Sequence, residues 1–263
     1  MLMRTHSFLE RALGENISQG LERGEFLVFY QPKWDLFSKC ITGFEALARW
    51  HAPGYGQIPP SEFIPVAEAN GGIKPLGDWV LMNACRQAKK WQDKNGKNFS
   101  ISVNVSARQL EHIGFVNRVF EILSMTGLQP GYLELEITES VFINDLSKII
   151  EFLNCLRREG VRLALDDFGT GFSSLHHLSR LPLDCLKIDQ SFVRSLESPK
   201  TKTIVKSVAR LAKEMELRTI VEGIETKEEE FVLWKLGINH GQGFRMSPPV
   251  PGEKAVAFLE VGK

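Results

Sequence analysis

Short apolar runs recur along the chain, each ending at or just before a carboxylate, an amide or a lysine. Phe99–Asn104, Tyr132–Glu136, Val161–Asp166, Cys185–Asp189 and Arg218–Glu222 are brief, apolar-biased and bounded by Gly, Pro or polar turns, which predicts β-strands. Longer stretches of helical period lie between them, at Leu76–Trp91, Val116–Met125, Leu146–Arg157 and Ile204–Met215, with Gly127 and Gly160 placed as C-terminal stops. Strand followed by helix, repeated, is the pattern of an α/β fold. Phe26–Pro32, Cys40–Trp50 and the weaker Asn239–Phe244 bring the candidate strands to eight, which suits a (β/α)8 barrel of about 250 residues. Only Lys33–Lys39 separates the first two. That is too short for a crossover helix, so the pair should be antiparallel, and the expected fold is a modified TIM-type barrel with an antiparallel first strand.

Glu45, Asn104, Glu136, Asp166, Asp167, Lys187, Glu222 and Gln242 sit at or just past those strand ends. Parallel strands bring their C-terminal ends to one face, where such folds place active sites. Hard oxygen donors of this kind suit Mg²⁺ or Mn²⁺, whereas zinc favours the His and Cys that this set lacks. Where Asp166-Asp167 leads into Phe168-Gly169-Thr170-Gly171, the backbone can turn both carboxylates to the mouth. One carboxylate could then bridge two metals about 3.5–4 Å apart, the spacing of in-line phosphoryl displacement. Two dications nearly balance five carboxylates, Lys187 adds a point charge able to hold water, and Arg49 offers a planar fork for a phosphate oxygen.

Taken singly, each residue has an ordinary structural explanation. An Asp or Glu after a strand is most often a helix cap or a solvated turn residue. Lys187-Ile188-Asp189 fits a buried ion pair equally well, Asp189 could cap the helix that follows, and Glu139 and Glu225 are ambiguous. The joint pattern carries the inference.

Composition changes the picture little. The 263 residues carry 32 basic and 32 acidic side chains, so nothing argues for a nucleic-acid groove or a basic membrane-binding face. No linker or low-complexity tract divides the chain, which reads as a helical lead-in over residues 1–23 and one catalytic barrel domain over 24–263. No apolar run approaches the roughly 18 residues of a spanning helix, and no signal pattern opens the chain, so a cytoplasmic location is expected. Cys40, Cys85, Cys155 and Cys185 are widely spaced in apolar stretches and are expected to be buried, reduced thiols. His176 and His177 lack matching metal partners and are expected at the surface or an interface.

Glu45-Ala46-Leu47-Ala48-Arg49-Trp50 resembles the signature of the EAL domains, bacterial phosphodiesterases that linearise cyclic di-GMP. The likeness continues in order through Tyr30-Gln31-Pro32, Phe63–Glu68, Ser102–Ser106, Glu136–Ser140, Asp166–Gly171, Leu186–Asp189, Val221–Glu225 and Gln242-Gly243-Phe244. It covers about Leu21 to Pro251. The resemblance implies that Glu45, Asn104, Glu136 and Asp166 hold one metal and that Asp166, Asp167 and Glu222 serve the second. A metal-activated water is then the nucleophile, with Lys187 orienting it, Asp167 beside it and Glu222 as candidate base. Gln31, Leu47, Arg49 and Gln242 would line the site or contact substrate, and the product would be linear 5′-pGpG. The working metal would be Mg²⁺ or Mn²⁺, with Ca²⁺ supporting binding without cleavage.

By the same resemblance, Asp167–Leu183 looks like a mobile loop coupling dimerisation to activity, with Glu139 as its anchor and Gly169, Thr170, Gly171 and Glu225 in the regulatory region. Homodimerisation follows as an expectation, as does a sensory, receiver or cyclase-like partner domain if the chain is a piece of a longer protein. Departures from the family pattern are mild: Lys33 where an apolar residue is common, Gln190 for a frequent Arg, Asn239 for Asp, and Phe172 and Phe244 for Tyr. None removes an expected ligand, so an active enzyme is expected. A catalytically weak cyclic di-GMP receptor and a metal-dependent barrel enzyme that abstracts a proton next to a carboxylate are the alternatives.

Overall fold

The computed structural model describes residues 17–139, 141, 146–171 and 175–260. β1 (Phe26–Asp35) and β2 (Ile41–Ala52) form an antiparallel hairpin joined by residues 36–40. From β2 the ladder continues in parallel through β4 (Ser100–Val105), β5 (Leu133–Thr138), β6 (Arg162–Phe168), β7 (Cys185–Ile188), β8 (Arg218–Val221) and β9 (His240–Gln242). β9 then pairs antiparallel with β1 and closes the ring. The result is a closed eight-stranded barrel in which β1 alone runs against both neighbours. Two short strands lie outside the ring: β3 (Gly56–Ile58) against β2, and β10 (Val250–Pro251) against β1.

The described helices are α1 (residues 17–22), α2 (Pro60–Asn70), α3 (Ile73–Asn95), α4 (Ala107–Leu110), α5 (Phe115–Thr126), α6 (Leu146–Arg158), α7 (Leu175–Leu178), α8 (Gln190–Arg194), α9 (Pro199–Glu214), α10 (Lys227–Lys235) and α11 (Gly252–Glu260). Helices α3, α5, α6 and α9 are the four stretches of helical period; the first three reach one to four residues further at an end, while α9 starts earlier, at Pro199, and stops at Glu214, one residue short of Met215. Gly127 ends α5 with φ +70°, and Gly160 follows α6 with φ +96°, backbone that glycine adopts without a Cβ clash. Among the described residues no helix is long and apolar enough to cross a membrane.

In the parallel strands β4 to β8 both faces are largely buried, as parallel sheets require. Val103, Leu135, Leu165 and Leu186 join the main core with Leu81, Cys85, Val119, Ile122 and Leu153 of the surrounding helices, while Ala164, Cys185 and Ile220 form a small separate cluster. Aromatic rings close one side, with Phe26 stacked on Trp50 at 4.9 Å and Phe44 against Trp91 at 5.1 Å. Gly43 faces Ser100 across β2 and β4 so closely that a Cβ there would lie 2.3 Å from Ser100 Oγ.

Three expectations need correction. β1 runs on to Asp35, so Lys33 belongs to the strand and is buried inside the barrel instead of lying in the connection. Glu45 lies within β2 and not at its end, as the expected strand Cys40–Trp50 already implied, and pairing with β1 and β3 carries β2 on to Ala52. Of the four cysteines only Cys85 and Cys185 are buried; Cys155 is partly covered, and Cys40 is exposed where the hairpin connection meets β2.

Candidate metal centre and cleft

Side chains on a strand face one way at every second position, so Glu45 of β2, Asn104 of β4, Glu136 of β5, Asp166 of β6 and Lys187 of β7 point into the barrel near its mouth. Glu222 directly follows β8, and Gln242 ends β9. Lys187 Nζ stands among four carboxylates, 2.5 Å from Glu136 Oε2, 2.8 Å from Glu222 Oε1, 3.0 Å from Asp166 Oδ1 and 3.6 Å from Glu45 Oε2. Burial opposes its charge, but Asp166, Glu136, Glu222 and Glu45 together hold its pKa well above that of an ordinary lysine.

The amides hold Glu45. Asn104 Nδ2 donates to Glu45 Oε1 at 2.6 Å, and Gln242 Nε2 donates to Glu45 Oε2 at 2.6 Å and to Gln31 Oε1 at 2.9 Å. Gln31 in turn donates to the Ser247 carbonyl at 3.2 Å. Gln242 Oε1 is buried without a hydrogen-bond partner, an acceptor available to a ligand.

Adjacent Asp166 and Asp167 reach the same side because β6 is irregular there. Its pairing with β7 shifts register between Leu165 and Phe168, and Asp167 adopts φ +55°, a left-handed conformation that Asp tolerates better than most residues. Ligand oxygens of Glu45, Glu136 and Asp166 lie within 4.8 Å of one another, as do those of Asp166, Asp167 and Glu222. The two triads share Asp166. Burial, with the charge of Asp166 next, pushes the Asp167 carboxyl up to about 6. Burial also raises Glu222 to about 8; Lys187 opposes the shift, and Asp166 and Glu45 reinforce it. Lys187, with Lys33 reaching only Glu136 among these carboxylates, does not neutralise the cluster, and its donors are all oxygen. The residues therefore fit hard dications.

Gly169 N–H donates to Glu139 Oε1 at 3.1 Å, which ties the segment after Asp167 to the end of β5. A Cβ on Gly169, whose φ is +99°, would lie 2.5 Å from the Phe192 ring. Thr170 Oγ1 donates back to the Asp167 carbonyl at 2.9 Å, and Gly171 packs beside Glu139. Ser140 and Phe172 lie outside the described residues. Asp189 caps α8, its Oδ1 accepting from Ser191 N–H at 2.9 Å.

A cleft of about 340 Å³ opens beside the acidic group, with Glu45, Glu222 and Glu225 on its wall and Gln31, Leu47, Gln190, Arg194, Gln242 and Phe244 among its other lining residues. Arg49 does not line this cleft. Two positions beyond Leu47, its Nη1 donates to the Ala48 carbonyl at 2.8 Å and its guanidinium sits 5.6 Å from the Phe29 ring. Arg194, which donates to Gln190 Oε1 at 2.9 Å, is a cleft residue that the strand-end pattern does not single out, because it lies on the last turn of the short α8.

The EAL domain family model matches residues 14–249. The chain belongs to the EAL domain family. The bifunctional diguanylate cyclase/cyclic di-GMP phosphodiesterase MucR of Pseudomonas aeruginosa is 40% identical over 245 residues, covering 93% of this chain and 36% of that protein. The cyclic di-GMP phosphodiesterase PdeR of Escherichia coli is 38% identical over 247 residues, 94% of this chain and 37% of that protein. The solved MucR phosphodiesterase in complex with c-di-GMP superposes with a TM-score of 0.88 at 39% identity, covering 93% of this chain and 99% of the other. The EAL enzyme Bd1971 in its cAMP-bound form gives 0.92 at 36% identity, with 98% and 74% covered. This EAL chain spans about a third of the length of the curated relatives it matches.

Proposed function

We propose that the chain is a metal-dependent phosphodiesterase that opens cyclic di-GMP to linear 5′-pGpG and so lowers the second messenger in bacterial signalling. The observation that carries this reading is the pair of carboxylate triads sharing Asp166 beside an open cleft. The names of MucR and PdeR, and the c-di-GMP complex of the MucR domain, support the choice of substrate.

Glu45, Asn104, Glu136 and Asp166 would hold one Mg²⁺ or Mn²⁺, and Asp166, Asp167 and Glu222 the second. Two bound dications supply charge neutralisation for the phosphate and a water acidic enough to act as nucleophile near neutral pH. The side chains do the remaining work. Lys187 donates hydrogen bonds that orient the attacking water, and Asp167 and Glu222 flank it. Glu222 accepts its proton. Gln31 and Gln242 offer amides to the substrate and Leu47 an apolar wall, while Arg49 would have to leave the Phe29 ring for its guanidinium to reach a phosphate oxygen. Glu139, Gly169, Thr170, Gly171 and Glu225 form the regulatory edge, through which a homodimer or a sensory or cyclase-like domain would act in the cytoplasm. Ca²⁺, larger and looser in coordination, would hold the dinucleotide without cleavage.

Hydrolysis of bis(p-nitrophenyl) phosphate tests the phosphodiesterase chemistry. Slow Mn²⁺-dependent release of p-nitrophenol is expected; no release with any divalent metal contradicts the proposal and favours a receptor or a proton-abstracting enzyme.

A further inference from the structure

A second ammonium group lies inside the barrel next to the acidic cluster. Lys33 is 1% exposed and leaves β1 two positions after Gln31, on the same inward face. Its Nζ donates to Ser102 Oγ at 2.6 Å, to Glu134 Oε1 at 3.1 Å and to Glu136 Oε1. Three acceptors use all three donors of an ammonium, so this one is fixed in direction. Glu134 is held in turn by Ser102 Oγ at 2.8 Å and by the Arg218 guanidinium. Charges alternate in sign from Arg218 through Glu134, Lys33 and Glu136 to Lys187. Burial opposes the charge on Lys33, but Glu136 and Glu134 outweigh it and keep the ammonium protonated.

Glu136 therefore has its two oxygens divided. Oε1 accepts from Lys33, and Oε2 accepts from Lys187 at 2.5 Å. Lys187 also contacts three other carboxylates, so it has partners besides Glu136; Lys33 is enclosed with Ser102, Glu134 and Glu136. We propose that Lys33 is a positioning residue of the metal centre, committing Glu136 Oε1 to the barrel interior and leaving Oε2 as the oxygen offered to a divalent cation. This rests on the reading of Glu136 as a metal ligand. Partners that orient a ligand from behind typically contribute about 10–100-fold to metal affinity. A lysine that merely filled the barrel would affect melting without affecting metal binding.

Calorimetric titration of the full chain with MnCl₂ alone, with melting followed in parallel, separates the two roles. Lys33→Met keeps the length of the side chain but takes one cationic partner from each carboxylate, leaving Glu134 to Arg218 and Glu136 to Lys187. The double variant Lys33→Met, Glu134→Gln removes one of the two carboxylate charges as well. Mn²⁺ Kd is expected to rise about 10–100-fold in both, with melting temperature largely recovered in the double variant. A Kd within about threefold of wild type in either folded variant overturns the proposal. Should neither fold, Ser102→Ala removes one of the three acceptors that aim the ammonium and leaves both carboxylates. It is expected to weaken Mn²⁺ binding measurably, and an unchanged Kd would overturn the positioning role. A wild-type chain that binds no Mn²⁺ overturns the metal reading, and the positioning role with it.

Discussion

Lys187 meets carboxylates from β2, β5 and β6 and the residue after β8, so its charge reports on the whole cluster. If its role is to orient water, Lys187→Ala should lower kcat by about 10²–10⁴-fold while cyclic di-GMP binding in Ca²⁺ stays within a few-fold of wild type. A wild-type kcat in that variant would remove water orientation from the account. Asp167 and Glu222 retain protons to about pH 6 and 8, above the ordinary carboxyl range. Metal ligands must be deprotonated, so a dication competes with those protons. Mn²⁺ affinity should therefore rise with pH between about 6 and 8, by up to about tenfold per unit for each proton displaced, and fall as pH is lowered. Calorimetry in buffers of differing ionisation heat would detect the released protons; a Kd flat across that range contradicts the assignment.

Two elements set the geometry, and they differ in how far the sequence reveals them. The β6 irregularity at Asp166-Asp167 is legible because two adjacent carboxylates before Phe-Gly-Thr-Gly make little sense on opposite faces of a regular strand. The inward turn of Lys33 is not legible from its neighbours, since a lysine after Tyr-Gln-Pro reads as the start of a turn. Only period two, continued from Gln31, places it inside with Ser102 and Glu134. Helix α2 gives a faint signal because it buries only Phe63 and Ala67 and carries Pro65 within it. Helix α10 buries Glu230 and Leu233 and is marked instead by the Thr226–Glu229 capping box. At this scale β2 is the sensitive element. Gly43→Ala would press a Cβ against Ser100, the β4 partner of Gly43, two residues before Glu45. Overpacking of this kind costs about 1–3 kcal/mol, so urea denaturation should show a lower midpoint and Mn²⁺ binding should weaken with it. An unchanged midpoint would mean that β2 and β4 separate freely.

Across the whole molecule, closure is what turns scattered strand ends into a site. β9 must return to β1 for Gln242 to meet Gln31 and Glu45, which lie far apart from it in sequence. That closure was legible from eight strands and one hairpin too short for a helix. The details of the cleft were not, because Arg194 and the packing of Arg49 over Phe29 depend on how α8 and β2 settle against the barrel. The most direct test of the account is a chromatographic time course of the purified chain with cyclic di-GMP in Mg²⁺, Mn²⁺ or Ca²⁺, beside Glu45→Ala. The account predicts linear pGpG with Mg²⁺ or Mn²⁺, none with Ca²⁺ and none from the variant. Intact cyclic di-GMP under every metal, or equal turnover by Glu45→Ala, would contradict it.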